Sequence, residues 1–167
     1  RIRLLQPRGL LKLTASIRLD PQRPEVLFEL RADGEMAAAL SFPEPFVTGP
    51  GTMLIMPVNE GISYPVDDAS LPEMRYHTYG GHGLCMGFYG VTYGERGLMT
   101  LLETPNGAAV RVPRVDGNLC LAPEWLPERG LFGYPRRLRW VVFNRGGYVA
   151  MCKRYRRFAE RIGKLKT

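Results

Sequence analysis

Glu60, Asp67, Asp68, Glu103 and Glu124 are the acids set among Pro, Gly and aromatic residues in this 167-residue chain. Two carboxyls flanking a bond between sugars can serve as general acid and as base or nucleophile. The sequence alone does not bring any two of these acids face to face, and acids on a β domain more often keep its surface soluble. His77 and His82, in YHTYGGHG, could hold a metal only with a third donor close by. Asp67, Asp68 and Glu73 are the candidates, but the spacing fits no metal motif, so structural histidines and neither metal nor cofactor are expected. No GxSxG, P-loop, GxGxxG before a helix or HExxH occurs.

Aromatic residues gather in two irregular stretches: Tyr64, Tyr76 and Tyr79 in residues 57–83, and Trp125, Phe132 and Tyr134 in residues 121–137. A flat ring with a polar edge can stack on a sugar or on another protein surface. Arg136 and Arg137, beside Tyr134, could add planar donors. The competing reading is local packing that holds long loops in place. The candidates for a carbohydrate or domain interface are Tyr64, Asp67, Asp68, Trp125, Tyr134 and Arg136, with no catalytic residue among them.

The elements that must position these residues read as strands. Leu11, Leu13, Ala15, Ile17 and Leu19 alternate with Lys12, Thr14, Ser16 and Arg18, the period of a half-buried strand. Val26, Phe28 and Leu30 alternate again, and Asp33-Gly34 offers a hairpin turn into a strand over 36–42. Residues 52–56 form another apolar run, 57–83 a long ordered excursion, and 84–115 a meander. Residues 138–144 are apolar enough for a strand buried on both faces.

After Arg145-Gly146-Gly147 the period changes to that of a helix. Tyr148, Met151, Cys152, Tyr155, Phe158, Ala159 and Ile162 fall on one stripe. Lys153, Arg154, Arg156, Arg157, Glu160, Arg161 and Lys164 take the other face. This placement decides how the net charge of +7 is read. Residues 152–167 hold seven Lys/Arg and one acid, while the preceding 151 residues hold sixteen Lys/Arg and fifteen acids. The body is nearly neutral, so the basicity belongs to one terminal segment whose apolar stripe asks for a protein surface. Neither nucleic acid nor a membrane is expected as partner.

Cys85, Cys120 and Cys152 are odd in number and contain no CxxC, which predicts free thiols packed as small apolar groups. With no visible signal peptide, they lean towards a reducing, cytoplasmic compartment. The chain starts at Arg1 rather than Met and reads as a piece of something longer.

The run WLPERGLFGYPRRLRWVVFNRGGYVAMCKRYRRFAERIGKLKT resembles a junction in large bacterial glycoside-hydrolase-like proteins. The matching features are Trp125 with Pro127, Tyr134-Pro135-Arg136, the strand 138–143, Gly147-Tyr148, and a helix carrying Lys153, Tyr155 and Arg156. Upstream, MPVNEGISYPVDD and GLMTLLETPNGA are also similar, so the resemblance covers about residues 50–167. It implies a galactose-mutarotase-like β-sandwich placed before a (β/α)8 barrel, a layout like that of endo-α-N-acetylgalactosaminidases. The catalytic carboxylates would then lie beyond Thr167. Galactose mutarotases use a His acid and a Glu base, but neither histidine here falls on that motif, and no catalytic role carries over.

The expectation is therefore an all-β antiparallel sandwich over residues 1–147, followed by one amphipathic helix over 148–167 that leads to a downstream catalytic domain of the same polypeptide. The role expected is that of a non-catalytic accessory domain of a glycoside hydrolase. The alternatives are an independent carbohydrate-binding module and a mutarotase-like sugar epimerase.

Overall fold

The structure, a computed structural model, describes residues 2–5, 11–79 and 81–165. In chain order the strands are β1 (Ile2–Leu5), β2 (Lys12–Leu19), β3 (Glu25–Asp33), β4 (Leu40–Ser41), β5 (Met53–Met56), β6 (Ile62–Pro65) and β7 (Met74–His77). There follow β8 (Phe88–Tyr93), β9 (Arg96–Leu102), β10 (Ala108–Val112), β11 (Arg114–Val115), β12 (Asn118–Leu119), β13 (Ala122–Trp125) and β14 (Arg136–Phe143), then one helix, α1 (Gly147–Arg161). Eight strands form a large sheet in the order β1-β2-β3-β14-β9-β8-β5-β6; a smaller sheet runs β4-β13-β10-β7, and β11-β12 is a short hairpin. Every strand pairing within these sheets is antiparallel. The fold is an all-β sandwich with a carboxy-terminal helix.

The core lies between the two sheets, where Phe28, Leu30, Tyr89, Leu138, Val110 and Trp125 meet. On β2 and β3 period-2 patterning put the right side inward. On β2 and the residue before it, Leu11, Leu13 and Ala15 are 2%, 5% and 2% exposed, but Ile17 and Leu19 on the same side are 51% and 80% exposed. The alternation continues past the part of the large sheet that the smaller one covers, so the pattern stays strand-like while burial stops.

Three expectations change. The segment after Asp33-Gly34 does not fold back on β3, because both edges of β3 are taken, by β2 and β14. It crosses to the other sheet instead: the Met36 amide donates to the Gly130 carbonyl (2.8 Å), and β4 pairs with β13. Residues 84–115 are not one meander. β8 and β9 form a hairpin, but the free edge of β9 is occupied by β14, and β10 joins the smaller sheet. Residues 57–83 contain two edge strands, β6 on the large sheet and β7 on the small one.

α1 lies on the outer face of the large sheet, over Phe88, Met99, Leu101 and Val141. Its buried line is Gly147, Met151, Arg154, Phe158 and Ala159. That line is narrower and rotated relative to the expected stripe: Tyr148, Cys152 and Ile162 are exposed, and Arg154, expected in solvent, is buried. Of the three unpaired cysteines only Cys120 packs inside, while Cys85 and Cys152 are exposed.

Met151 fits a pit left by two glycines on neighbouring strands. A Cβ on Gly90 would meet the Leu98 carbonyl oxygen at 2.6 Å, and one on Gly97 would meet the Met151 methyl at 2.7 Å. Gly90→Ala forces backbone apart in mid-sheet and is expected to cost about 1–3 kcal/mol. Gly97→Ala should cost less, since the end of a flexible methionine can turn away. Urea denaturation of both variants checks that order, and equal stabilities would refute the pit.

Candidate functional site

Five of the six candidate residues fall into two groups towards opposite ends of β10, and Tyr64, on β6, adjoins Tyr76, which pairs with Val110 at the middle of β10. Trp125 pairs with Ala108 at one end, and Met74, next to the loop that carries Asp67 and Asp68, pairs with Val112 at the other. At the usual rise of a strand the two ends are about 13 Å apart. The fold does not bring the six side chains into one cleft.

At the first end the side chains turn inward. Trp125 is buried and its indole N–H donates to the Phe42 carbonyl at 3.0 Å. Arg136 has no exposed surface. Its Nη1 donates to the Asn106 carbonyl at 3.1 Å, and its Nη2 donates to the carbonyls of Leu126 and Phe132, each at 2.9 Å. The guanidinium stacks on Tyr134, 3.7 Å from the ring centroid. The Tyr134 hydroxyl donates to the same Asn106 carbonyl. Burial pulls the Arg136 pKa below its ordinary value, against the support of Tyr134 and Glu128. Trp125 and Arg136 therefore hold loops together and offer nothing to a sugar. In the sequence they looked like a stacking platform with planar donors, because burial is not visible in residue type.

At the middle and the second end the side chains are more open. Tyr64 and Asp68 are half-buried and Asp67 is exposed. Asp68 accepts from the Ser70 amide (2.9 Å) and hydroxyl (2.6 Å), and these bonds hold its carboxyl below the usual range. Arg114 ties this loop to the β11–β12 hairpin through the carbonyls of Asp68 (3.0 Å), Leu71 (2.8 Å) and Gly117 (2.6 Å). Across the open edge of the sandwich, burial and the adjacent Tyr64 hydroxyl push the Tyr76 phenol up to about 12. His77, on β7, and His82 are both exposed, and the His77 ring lies 3.3 Å from Arg75 Nη1.

The outer face of the large sheet holds what the sequence reading missed. Glu25 and Glu29 of β3 are buried there. Arg154 reaches down from α1 to grip Glu25 with two donors, at 2.7 and 3.0 Å. Arg139 joins Glu103 (2.5 Å) and Glu25 (3.3 Å), and Glu29 is held by Arg31 (2.6 Å) and Arg137. The signal was present: Glu25 and Glu29 share the side of β3 opposite Phe28, and Arg137 and Arg139 recur at period 2 on β14. Opposite charges on like faces of two strands mark a paired outer face.

An apolar groove lies between α1 and the loop before β8, lined by Tyr79, Met86, Tyr155, Ala159 and Leu165. The Tyr155 hydroxyl fixes its floor, accepting from the Gly87 amide at 3.2 Å and lying 3.5 Å from the Tyr79 hydroxyl. Tyr79 sits at φ +58°, a conformation unusual for a large side chain.

Two of the candidate acids are paired. Glu124 pairs with Arg75 at 2.6 Å and Glu103 with Arg139. Glu25, Glu29 and Asp68 are each held below the ordinary carboxyl range by their partners. A general acid for glycoside hydrolysis needs the opposite shift.

No family model matches the chain, and no curated protein matches it. Solved structures do. An α-N-acetylgalactosaminidase of Bifidobacterium bifidum, NagBb, in complex with GalNAc superposes with a TM-score of 0.82 over 97% of this chain at 18% identity. Its ligand-free form gives 0.76 over 99% at 18% identity, and a quadruple mutant 0.83 over 99% at 16%. The chain covers only 28%, 31% and 31% of those three structures. At this identity the likeness is one of fold: the sandwich with its closing helix is similar to a part, under a third in length, of a larger glycosidase chain.

Proposed function

We propose that this chain is a non-catalytic accessory domain of a glycoside hydrolase, a galactose-mutarotase-like sandwich that braces a catalytic barrel following Thr167. The observation that carries the reading is the match to a glycosidase over nearly the whole of this chain and under a third of the other. The groove of Tyr79, Met86, Tyr155 and Leu165 beside α1 is the surface offered to the barrel. Tyr64, Asp67 and Asp68 form the rim that could reach a bound glycan.

The test is to read the coding frame past Thr167 and assay the whole product. A (β/α)8 barrel should follow, and release of sugar from aryl α-glycosides should need that barrel and persist when the acids of this domain are replaced. A stop codon at that point, or activity of the 167 residues alone, would overturn the proposal. Titration of the 167 residues with neutral sugars, read by tryptophan fluorescence, is expected to give no saturable response; saturation would favour an independent binding module.

A further inference from the structure

The turn before β3, strand β14 and α1 enclose a cleft of about 410 Å³ whose lining is strongly cationic. Arg23 lies on one wall and Arg154, Arg157 and Arg161 on the other, with Val141 and Phe143 between them. The helical arginines sit at i, i+3 and i+7, so they share a face and span about 10 Å along the axis. The turn is fixed in place: the Val142 amide donates to the Pro24 carbonyl at 3.0 Å.

Glu25 is the one carboxylate in the lining, and Arg154 consumes it. Arg161 has only Glu103, at 4.0 Å. Arg23 and Arg157 make no ion pair among the described residues. Arg23 and Arg157 thus line the cleft with no ion pair, and Arg161 with only that distant one. Like charges lining one cleft repel. A bound oxyanion relieves that repulsion, and planar guanidiniums grip it with paired hydrogen bonds.

We propose that this cleft binds a small ligand carrying a sulfate, phosphate or carboxylate group, held by Arg23, Arg157 and Arg161. Its volume is in the range that takes a ligand of about sugar size. Val141 and Phe143 provide the apolar surface for the body that carries the anion. The inference does not depend on the accessory-domain reading, and a free-standing domain would have the same cleft.

The experiment is a thermal-shift and calorimetric titration of the protein at constant ionic strength. Inorganic phosphate, inorganic sulfate, glucuronate and galactose 6-sulfate are the probes, with glucose as the neutral control. A saturable rise in Tm is expected for the anions and none for glucose. Tighter binding of the sugar-borne anions would identify the carrier as a sugar, and equal binding a free anion; either supports the site. Arg157→Gln and Arg23→Gln remove exposed side chains, so both should fold as wild type while binding about tenfold more weakly or worse. No saturable response, or one that survives unchanged in both variants, would overturn the proposal by leaving only the general stabilisation that such salts give any fold.

Discussion

Replacing Arg136 with alanine should destabilise the fold by on the order of 2–6 kcal/mol, chiefly from the buried Phe132 and part-buried Leu126 carbonyls, which each lose a donor at about 1–3 kcal/mol. Leu126 and Phe132 lie in the irregular chain between β13 and β14, and Arg136 also reaches the Asn106 carbonyl in the turn between β9 and β10. Irregular backbone has no ladder to satisfy it, so one side chain supplies what strand pairing supplies elsewhere. The cation is tolerated in the interior because the carbonyl dipoles surround it and Tyr134 covers one face. Gly107 makes room for it: its φ is +63°, and a Cβ there would lie 2.8 Å from Arg136 Nη1. Arg136→Lys keeps the charge but not the fork, and should recover only part of the loss. Guanidinium denaturation followed by tryptophan fluorescence measures all three proteins. An alanine variant within 1 kcal/mol of wild type would mean that the loops hold without the clamp.

Arg136 also shows what could be read from the sequence and what could not. Strands, their inward sides and the closing helix follow from periodicity, which is local. Partner choice is not local. β10 leaves the meander because β14, nearly thirty residues later, takes the edge of β9, and no turn signal at residues 105–107 announces that. The candidate residues failed to meet for the same reason. Asp68 and Trp125 both lie in Pro- and Gly-rich stretches, and only the register of β10 with its two neighbours sets them apart along that strand. On the helix, periodicity found the right element and misjudged its rotation. It sorted Arg154 by residue type to the wet side, whereas Glu25 on the sheet beneath made the buried position favourable.

That pair gives the second large effect. Burial pushes the Glu25 carboxyl up, and Arg154, Arg139 and Arg23 outweigh it, so its pKa ends below the ordinary 4.5. Glu29 is lowered as well, by Arg31 first and then, against burial, by Arg137. A carboxyl with a lowered folded-state pKa contributes stability that is fully present above its unfolded pKa and is lost as pH falls through the folded one. Stability should therefore hold down to about pH 4.5 and decline below it as both acids take up protons. Glu25→Gln keeps the shape and removes the charge, leaving Arg154 buried beside a neutral amide, and should cost about 3–5 kcal/mol near neutral pH. It should also flatten the acid limb of the stability profile, since one of the two titrating groups is gone. Replacing both partners, Glu25→Leu with Arg154→Leu, removes the unpaired charge. The double variant should recover most of that loss, because apolar pairs of similar volume often replace buried ion pairs without penalty. Arg139 still has Glu103 and Asp20 to face in that protein. Urea denaturation between pH 3 and pH 7 reads the single and double variants together. A double variant as unstable as the single one would show that the helix is held by the ion pair itself, and not by the need to avoid an unpaired charge beneath it.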